Sequence, residues 1–201
     1  MVMDQRPTAT RGRPRNTEID SAIVSATLEL LAERGYAELT IGAVATRAGV
    51  GRPTVYARFP DKNALVVHSL VQTVPQLRNP DTGNALRDLT ELATEFATQL
   101  VRSPIGRTVL AVHAEAGRHP ELADLLRTHY WRPREQLVHE LIHRGQQQGS
   151  IRADITPEHI QDLVYGPLLY HWLILGEPDR HTMETLLTAS LHAITPCSHA
   201  D

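Results

Sequence analysis

Residues 40–62, TIGAVATRAGVGRPTVYARFPDK, hold two short helical patterns separated by a glycine. Apolar residues at i, i+3, i+4 and i+7 spacing mark one side of the first pattern: Ile41, Val44, Ala45 and Ala48. Gly49 predicts the end of that helix, because glycine readily takes the left-handed conformation that closes a helix in a tight turn. The stretch therefore predicts a helix-turn-helix motif.

The second pattern begins with Pro53 in its first turn, where a missing N–H group costs nothing, and extends to Phe59. Val55 and Phe59 are expected to face inward. The other side offers side chains that donate to phosphates and base edges: Arg52, Thr54, Tyr56 and Arg58. A helical hairpin without a nucleic-acid role is the alternative interpretation.

At these residues the chain resembles the TetR family of bacterial transcriptional regulators. The match runs through T-I-x-x-V-A-x-x-A-G-V and then T-V-Y-x-x-F-P-x-K, which ends at Lys62. The chain departs from the family pattern at Gly51, where a serine or similar cap is usual, and at Arg58, where histidine is common. Glycine for serine at a helix N-cap costs only a few tenths of a kcal/mol, roughly, so the motif is expected to fold.

The resemblance implies an all-α fold with an N-terminal three-helix, helix-turn-helix DNA-binding domain and a helical ligand-binding and dimerisation domain. We assign residues 1–16 to a flexible arginine-rich arm, 17–62 to the DNA-binding domain and 63–201 to the second domain. The implied function is a repressor that binds a palindromic operator in double-stranded DNA as a homodimer and is released by a small-molecule ligand of unknown identity. These residues do not distinguish a repressor from an activator.

The residues expected to contact DNA fall into two groups. Arg52 and Thr54 are predicted to reach base edges. The predicted phosphate contacts are Thr40, Arg47, Tyr56, Arg58 and Lys62. Lys62 is the only lysine of the chain. For Arg47, an ordinary solvated charge is the alternative.

The predicted arm is rich in arginine and interrupted by glycine and proline. Its basic residues are Arg6, Arg11, Arg13 and Arg15, and no acidic residue lies between Asp4 and Glu18. Arg11, Arg13 and Arg15 are predicted to enter an A·T-rich minor groove, although a solvated tail is the alternative. Residues 1–62 hold nine basic and seven acidic side chains, whereas the remainder holds eleven and sixteen, so basic charge is concentrated at the front.

Cap residues and breakers divide the rest of the chain into helices. Asn16 or Thr17 is expected to begin the first helix and Gly35 to end it, and Asp61 is expected to cap a helix that starts at Lys62. Further helices are predicted from Asp81 or Thr82 to Ser103, from 105 to 117, from 120 to 148, from Thr156 onward and from 179 to 194. A kink or break is expected at Pro133, inside the long pattern from 120 to 148.

Residues 163–176, LVYGPLLYHWLILG, are apolar on all sides of the predicted helix except for His171. A helix of this kind must be buried on all sides, so one side is expected to pack on its own domain and another on a second copy. The segment is too short and too interrupted to cross a membrane. The residues predicted at the dimer interface are Leu168, Leu169, Trp172, Leu175, Leu187 and Leu191.

A small-molecule site in the second domain is implied by the resemblance and by no motif of the chain itself. Six aromatic or histidine side chains on otherwise apolar helices are its candidates: Phe96, His113, Tyr130, Trp131, Tyr165 and His171. An apolar cavity with a few polar groups would suit them. The alternative for each is a place in the core or in the dimer interface.

His139, Glu140 and His143 form the H-E-x-x-H pattern of zinc metalloproteases, and Glu158 or Asp162 could supply a third ligand only if folding brings them near. A zinc-dependent hydrolase is therefore the alternative function, and an adaptor that has lost operator binding is a third. We predict no enzyme, no catalytic residue, no metal and no cofactor. The single cysteine and the lack of a signal-peptide segment fit a cytoplasmic protein.

Overall fold

A computed structural model describes residues 14–73 and 79–196, which form ten α-helices and two π-helical turns. No β-strand occurs within those two ranges, so the all-α prediction is confirmed. The helices are α1 (Pro14–Glu38), α2 (Ile41–Arg47), α3 (Arg52–Tyr56), α4 (Lys62–Thr73), α5 (Ala85–Arg102), α6 (Pro104–Ala116), α7 (Pro120–Leu126), α8 (Arg132–Gln147), α9 (Pro157–Tyr170) and α10 (Arg180–Ile194). The π-helical turns span Arg127–Trp131 and His171–Leu175.

The turns that separate the first three helices form where the glycines and Thr40 predict them. Gly35, with φ of 76°, interrupts the helical backbone near the end of α1, and the hydroxyl of Thr40 accepts the amide of Ala43 at 3.1 Å at the start of α2. Gly49 has φ of 68°, and the amide of Val50 donates to the carbonyl of Ala45 at 3.0 Å. This turn folds α3 back across α2.

Two boundaries differ from the prediction. α1 begins at Pro14, so residues 14–16 are helical and not part of an extended arm. The reason is that proline fits the first turn of a helix, where its missing N–H group has no intrahelical partner. α3 ends at Tyr56 rather than at Phe59, although Phe59 still donates its amide to the carbonyl of Val55 at 2.9 Å and is buried.

One apolar core extends from the helix-turn-helix into the following helices. Val44, Val55 and Leu65 are fully buried in it, and Leu122 of α7 belongs to the same cluster. α1 packs on α2, α4 and α6, while α4 also packs on α7 and on the π-helical turn 127–131. The predicted division at residue 62 is thus crossed by a shared core.

A second core joins α5, α8, α9 and α10. α5 begins later than predicted, because Asn84 rather than Asp81 or Thr82 is its N-cap and accepts the amide of Arg87 at 3.0 Å. The hydroxyl of Thr82 instead donates at 2.6 Å to Asp88, which is fully buried. That carboxylate holds the preceding loop against the helix.

The irregularity expected at Pro133 is a π-helical turn rather than a break. Residues 127–131 form the turn, and Leu126 and Arg132 at its ends both keep right-handed helical backbone angles. Proline cannot donate to the carbonyl four residues before it, and an extra residue in the helical turn relieves the clash. The guanidinium of Arg134 donates to the carbonyl of Tyr130.

The apolar segment 163–176 is covered on one side only. Leu168 lies in the second core, whereas Tyr170, Leu173, Ile174 and Leu175 are each more than 60% exposed. Gly176, with φ of 102°, ends the segment. In the ranges that the structure covers, no helix is both long and apolar enough to cross a membrane.

Candidate nucleic-acid interface and adjoining cavity

The short helix α3 has a buried side and an exposed side. Val55 is completely buried beneath it, while Tyr56 is 55% exposed and Arg52 is also exposed. Neither exposed side chain forms a hydrogen bond or an ion pair with any residue in 14–73 or 79–196. Their donors are therefore free to bind another molecule.

Arg52 lies across the first turn of α2. A methyl group placed on Gly42 would come within 2.7 Å of a terminal nitrogen of the Arg52 guanidinium. The absence of a side chain at Gly42 gives the arginine room to lie beside the N-terminus of α2, where Thr40 is exposed. Thr54 is partly buried on the same helix as Arg52, so these three predicted contacts lie near one another.

Lys62 is held in place at the start of α4. Its ammonium lies 4.0 Å from the centre of the Tyr36 ring and 3.5 Å from the carbonyl oxygen of Ala37. The Tyr36 hydroxyl in turn donates to the amide oxygen of Asn63. Burial lowers the pKa of Lys62, and the carboxylate of Glu115 partly opposes this shift. The aromatic ring thus orients the ammonium before any ligand arrives.

Arg47 and Arg58 already have carboxylate partners. Arg47 binds Glu29 at 3.1 Å and Glu33 at 2.8 Å, and hydrogen bonds to Glu33 and then Glu29 raise the pKa of Arg47. Arg58 is paired with Asp20 and donates to the backbone carbonyl of Thr54 at 3.1 Å. Arg47 is thus an exposed cation with two carboxylate partners, and its predicted phosphate contact stays a prediction.

The three arginines predicted for the minor groove have different positions. Arg11 and Arg13 lie outside the described residues. Arg15 belongs to the first turn of α1, so its backbone is helical rather than extended.

A cavity of about 330 Å³ lies between α5, α8 and α9. Three of the six predicted ligand residues line it, namely Phe96, Trp131 and Tyr165. The rings of Phe96 and Tyr165 meet edge to face with centres 4.9 Å apart, and burial raises the pKa of Tyr165. The cavity has the size and aromatic character typical of a small-molecule site.

The other three predicted ligand residues do not line this cavity. His113 lies behind Trp131 and accepts a hydrogen bond from its indole N–H group. Tyr130 is buried in the first core. His171 lies in the π-helical turn that follows α9. Of the three, Tyr130 is therefore a core residue, and His113 binds the Trp131 ring from outside the cavity.

Sequence reasoning missed the polar lining of the cavity. It comprises Arg134, Glu135, Gln161 and Asp162. Each lies three or four residues along its helix from a lining apolar residue, so the helical spacing around Val138 and Tyr165 could have indicated them.

The residues predicted at a dimer interface divide into core and surface. Leu168 and Leu187 are buried in the second core of the single chain, so the interface prediction is corrected for them. Leu191 packs against that core, and Leu169 lines the cavity. Trp172 is partly buried, and Leu175 is 66% exposed. Because the segment is apolar on all sides, its sequence pattern could not distinguish the buried residues from the exposed ones.

The H-E-x-x-H pattern lies on α8. A ring nitrogen of His139 is 4.0 Å from a carboxylate oxygen of Glu158, but no group of three metal-ligating side chains occurs in the described part of the chain. His143 and Glu140 are exposed. The hydrolase alternative therefore has no support.

Comparison with known proteins gives one consistent result. Residues 23–68 match the family model of bacterial regulatory proteins, tetR family, and residues 79–189 match that of the tetracyclin repressor-like C-terminal domain. The chain is 33% identical over 168 residues to an uncharacterised HTH-type transcriptional regulator, YdeS, of Bacillus subtilis, covering 83% of this chain and 84% of the relative.

Two further matches indicate the same family. Rv1556 of Mycobacterium tuberculosis, another uncharacterised HTH-type transcriptional regulator, is 32% identical over 169 residues, which are 82% of this chain and 79% of that protein. The crystal structure of the TetR family transcription regulator SCO0332 superposes with a TM-score of 0.64 at 30% identity, covering 89% of this chain and all of that one.

Proposed function

Since the chain belongs to the TetR family and is a DNA-binding transcriptional regulator, we propose that it is a repressor that binds a palindromic operator as a homodimer and leaves it when a small molecule binds. The observation that carries the proposal is the division of α3 into a buried side and an exposed side. Val55 anchors the helix, while Arg52 and Tyr56 present donors that the rest of the described chain leaves free.

The proposed contacts to DNA follow from these positions. Arg52 and Thr54 read base edges, whereas Thr40, Tyr56 and Lys62 bind phosphates. Thr40 suits this role because its hydroxyl oxygen accepts the amide of Ala43, which leaves the hydroxyl proton to donate.

Arg47 and Arg58 are proposed as weaker phosphate contacts than Thr40, Tyr56 and Lys62. A phosphate at either residue would compete with the carboxylates already paired there, Glu29 and Glu33 in one case and Asp20 in the other. Exchange of one anion for another gains less than neutralising a phosphate with an unpaired cation. Arg11, Arg13 and Arg15 remain proposed minor-groove contacts on sequence grounds alone.

The proposed dimer uses the exposed apolar side of residues 163–175. Tyr170, Leu173, Ile174 and Leu175 are 63%, 62%, 65% and 66% exposed, and they are consecutive or nearly so. Contiguous apolar surface of this kind is typical of protein interfaces rather than of monomer surfaces. A second copy would cover it and would set the spacing of the two α3 helices.

The proposed release begins at Trp131. This residue lines the cavity and ends the π-helical turn that packs on α4, the helix that begins with Lys62. A ligand releases DNA only if it binds better to a form in which the two α3 helices have the wrong spacing. Contact with Trp131 is a direct route by which the cavity could favour such a form.

Selection of duplexes from a random pool with the full-length protein tests the proposal. We expect enrichment of an inverted repeat whose half-site centres are about 10 base pairs, or a multiple of that, apart. An enriched sequence without inverted-repeat symmetry would contradict the proposal that the protein binds DNA as a homodimer. A dimer that enriches no sequence would favour the adaptor alternative instead.

The dimer surface is tested separately by light scattering. Ile174→Glu should produce a monomer, because a buried unpaired carboxylate is costly at an apolar contact. Gln136→Glu adds the same charge on the exposed side of α8 and should leave the dimer intact. An unchanged mass for Ile174→Glu would place the interface elsewhere.

A further inference from the structure

The cavity between α5, α8 and α9 has apolar walls and an unbalanced set of charges. Its apolar walls include Phe96, Trp131 and Tyr165. Its charged lining consists of two carboxylates, Glu135 and Asp162, and one guanidinium, Arg134. The formal charge of this lining is therefore negative, whatever the ligand.

The single cation of the cavity is already engaged. The Arg134 guanidinium lies 3.9 Å from the centre of the Tyr130 ring and donates to the carbonyl of Tyr130. A guanidinium stacked on an aromatic ring and hydrogen-bonded to the backbone is fixed in orientation. It has fewer donors left for a ligand than a free arginine would have.

The two carboxylates have no such partners. Neither Glu135 nor Asp162 forms an ion pair or a hydrogen bond with any side chain in the described ranges. Glu135 is partly buried beside the apolar walls, where attraction to a cation is less screened than in open solvent, whereas the Asp162 carboxylate in the same lining is exposed.

A third acceptor lies in the same lining. The side-chain oxygen of Gln161 is buried and has no hydrogen-bond partner within the described residues. A buried acceptor without a donor costs about 1 to 3 kcal/mol, so a ligand that donates to it would recover that loss. The polar lining thus calls for hydrogen-bond donors and positive charge.

We propose that the cavity binds an apolar aromatic amine in its ammonium form. The aromatic part packs against Phe96, Trp131 and Tyr165, and the ammonium lies beside Glu135 and Asp162 and donates to Gln161. The volume of about 330 Å³ suits one or two fused rings with a short aminoalkyl group. The inference rests on the proposed function only where binding is to cause release from DNA; binding itself does not depend on an operator.

Three probes that share one ring system test the charge. They are 1-naphthylmethylammonium, the neutral 1-naphthalenemethanol and the anionic 1-naphthylacetate, each titrated into the full-length protein by calorimetry. We expect the ammonium to bind at least about tenfold more tightly than the alcohol, a difference of about 1.4 kcal/mol, and the acetate to bind most weakly. Equal or tighter binding of the acetate would overturn the proposal in favour of recognition by Arg134.

Matched variants test the residues. Glu135→Gln and Asp162→Asn should each weaken binding of the ammonium probe several-fold and leave the affinity for the alcohol unchanged. Both substitutions remove a negative charge and keep the shape of the side chain. Glu140→Gln removes the same charge from an exposed position on α8 outside the cavity and should change neither affinity. If the two lining variants bound the ammonium as the unmodified protein does, the assigned carboxylates would be wrong.

Failure of this inference differs from failure of the proposed function. The calorimetric experiment contains no DNA, so a protein that enriches an inverted repeat but prefers the acetate would keep the repressor proposal and lose the ammonium site. A protein that binds the ammonium but enriches no operator would keep the ammonium site and lose the repressor proposal.

Discussion

Trp131 donates its indole N–H group to Nε2 of His113, which ties a residue of the cavity wall to α6. Nδ1 of the same imidazole lies 2.7 Å from the carbonyl oxygen of Val109. One nitrogen therefore accepts and the other donates, so the ring is neutral with its proton on Nδ1. The pair joins the cavity to a helix that packs on α1.

This neutral histidine should make stability depend on pH. Burial lowers the pKa of His113, and the hydrogen bond to Val109 only partly opposes this. Below about pH 6.5 the unfolded chain takes up a proton that the folded chain does not, so the free energy of unfolding should fall as the pH falls.

Urea unfolding at pH 7.5 and 5.5 measures the effect. His113→Gln should be less stable at both values but should lose less stability on acidification than the unmodified protein. His181→Gln, which removes an exposed histidine, is the control and should keep the original pH dependence. An identical loss in His113→Gln would show that this ring does not titrate on unfolding.

Lys62→Ala should weaken binding to all DNA sequences by a similar factor. The Tyr36 ring holds the ammonium near the start of α4, a position suited to a phosphate rather than to a base edge. Loss of one phosphate contact per subunit should lower the slope of log affinity against log salt by about one unit per subunit. Filter binding at several salt concentrations measures it.

Arg87→Ala is the control for Lys62→Ala, because Arg87 is an exposed cation on α5 that is paired with Glu91 at 3.1 Å. Its removal should leave the salt dependence unchanged. If both variants gave the same slope as the unmodified protein, Lys62 would not be a phosphate ligand.

Arg52→Ala should change sequence preference rather than affinity for DNA in general. Its guanidinium lies beside Gly42 and has no partner in the described chain, so it is available for a guanine edge. Loss of a bidentate contact should cost about 1 to 3 kcal/mol per half-site on the selected operator and little on random duplexes. Equal loss on both kinds of DNA would reassign Arg52 to the phosphates.

The sequence predicted the front of the molecule better than the rest for a physical reason. Gly35, Gly49, Thr40 and Asp61 act through local backbone geometry, and the structure has each where the pattern predicts it. The partners of Arg47, by contrast, come from α1, fourteen and eighteen residues away. Contacts of this kind depend on how helices cross, which spacing along one helix does not reveal.

The same limit applies to the cavity and the dimer surface. Phe96, Trp131 and Tyr165 could be chosen as aromatic residues on apolar helices, but the choice between them and Tyr130 required the packing of the π-helical turn 127–131 on α4. Leu168 and Leu175 are chemically identical, yet one is buried and the other exposed. Leu168 lies on the side of α9 that packs in the second core, whereas Leu175 ends the π-helical turn that follows α9.

An ion pair with a fully buried carboxylate, which the sequence did not reveal, should contribute strongly to the packing of α5 on α8. Asp88 is fully buried and accepts from Arg144 at 3.2 Å and from the Thr82 hydroxyl at 2.6 Å. Arg144→Met leaves that carboxylate without its cation, so we expect a loss of about 3 to 5 kcal/mol in the free energy of unfolding.

Denaturant unfolding compares this variant with Arg87→Met, which breaks the exposed pair with Glu91 and should cost less than about 1 kcal/mol. Similar small losses in both variants would mean that water or another donor compensates Asp88.

Two glycines two residues apart should respond to substitution in opposite directions. Gly51 is the N-cap of α3 with φ of −74°, makes no side-chain cap, and has room for a side chain, since an added Cβ would meet its nearest atom at 3.5 Å. Gly51→Ser should stabilise the protein by a few tenths to about 1 kcal/mol, because serine restricts the unfolded chain and its hydroxyl can also accept from the Thr54 amide, which donates to the Gly51 carbonyl at 2.9 Å. Gly49 has φ of 68°, so Gly49→Ser should destabilise it by about 1 kcal/mol. Thermal unfolding of the two variants beside the unmodified protein measures both shifts, and a lower melting temperature for Gly51→Ser would mean that the short helix cannot accommodate a cap.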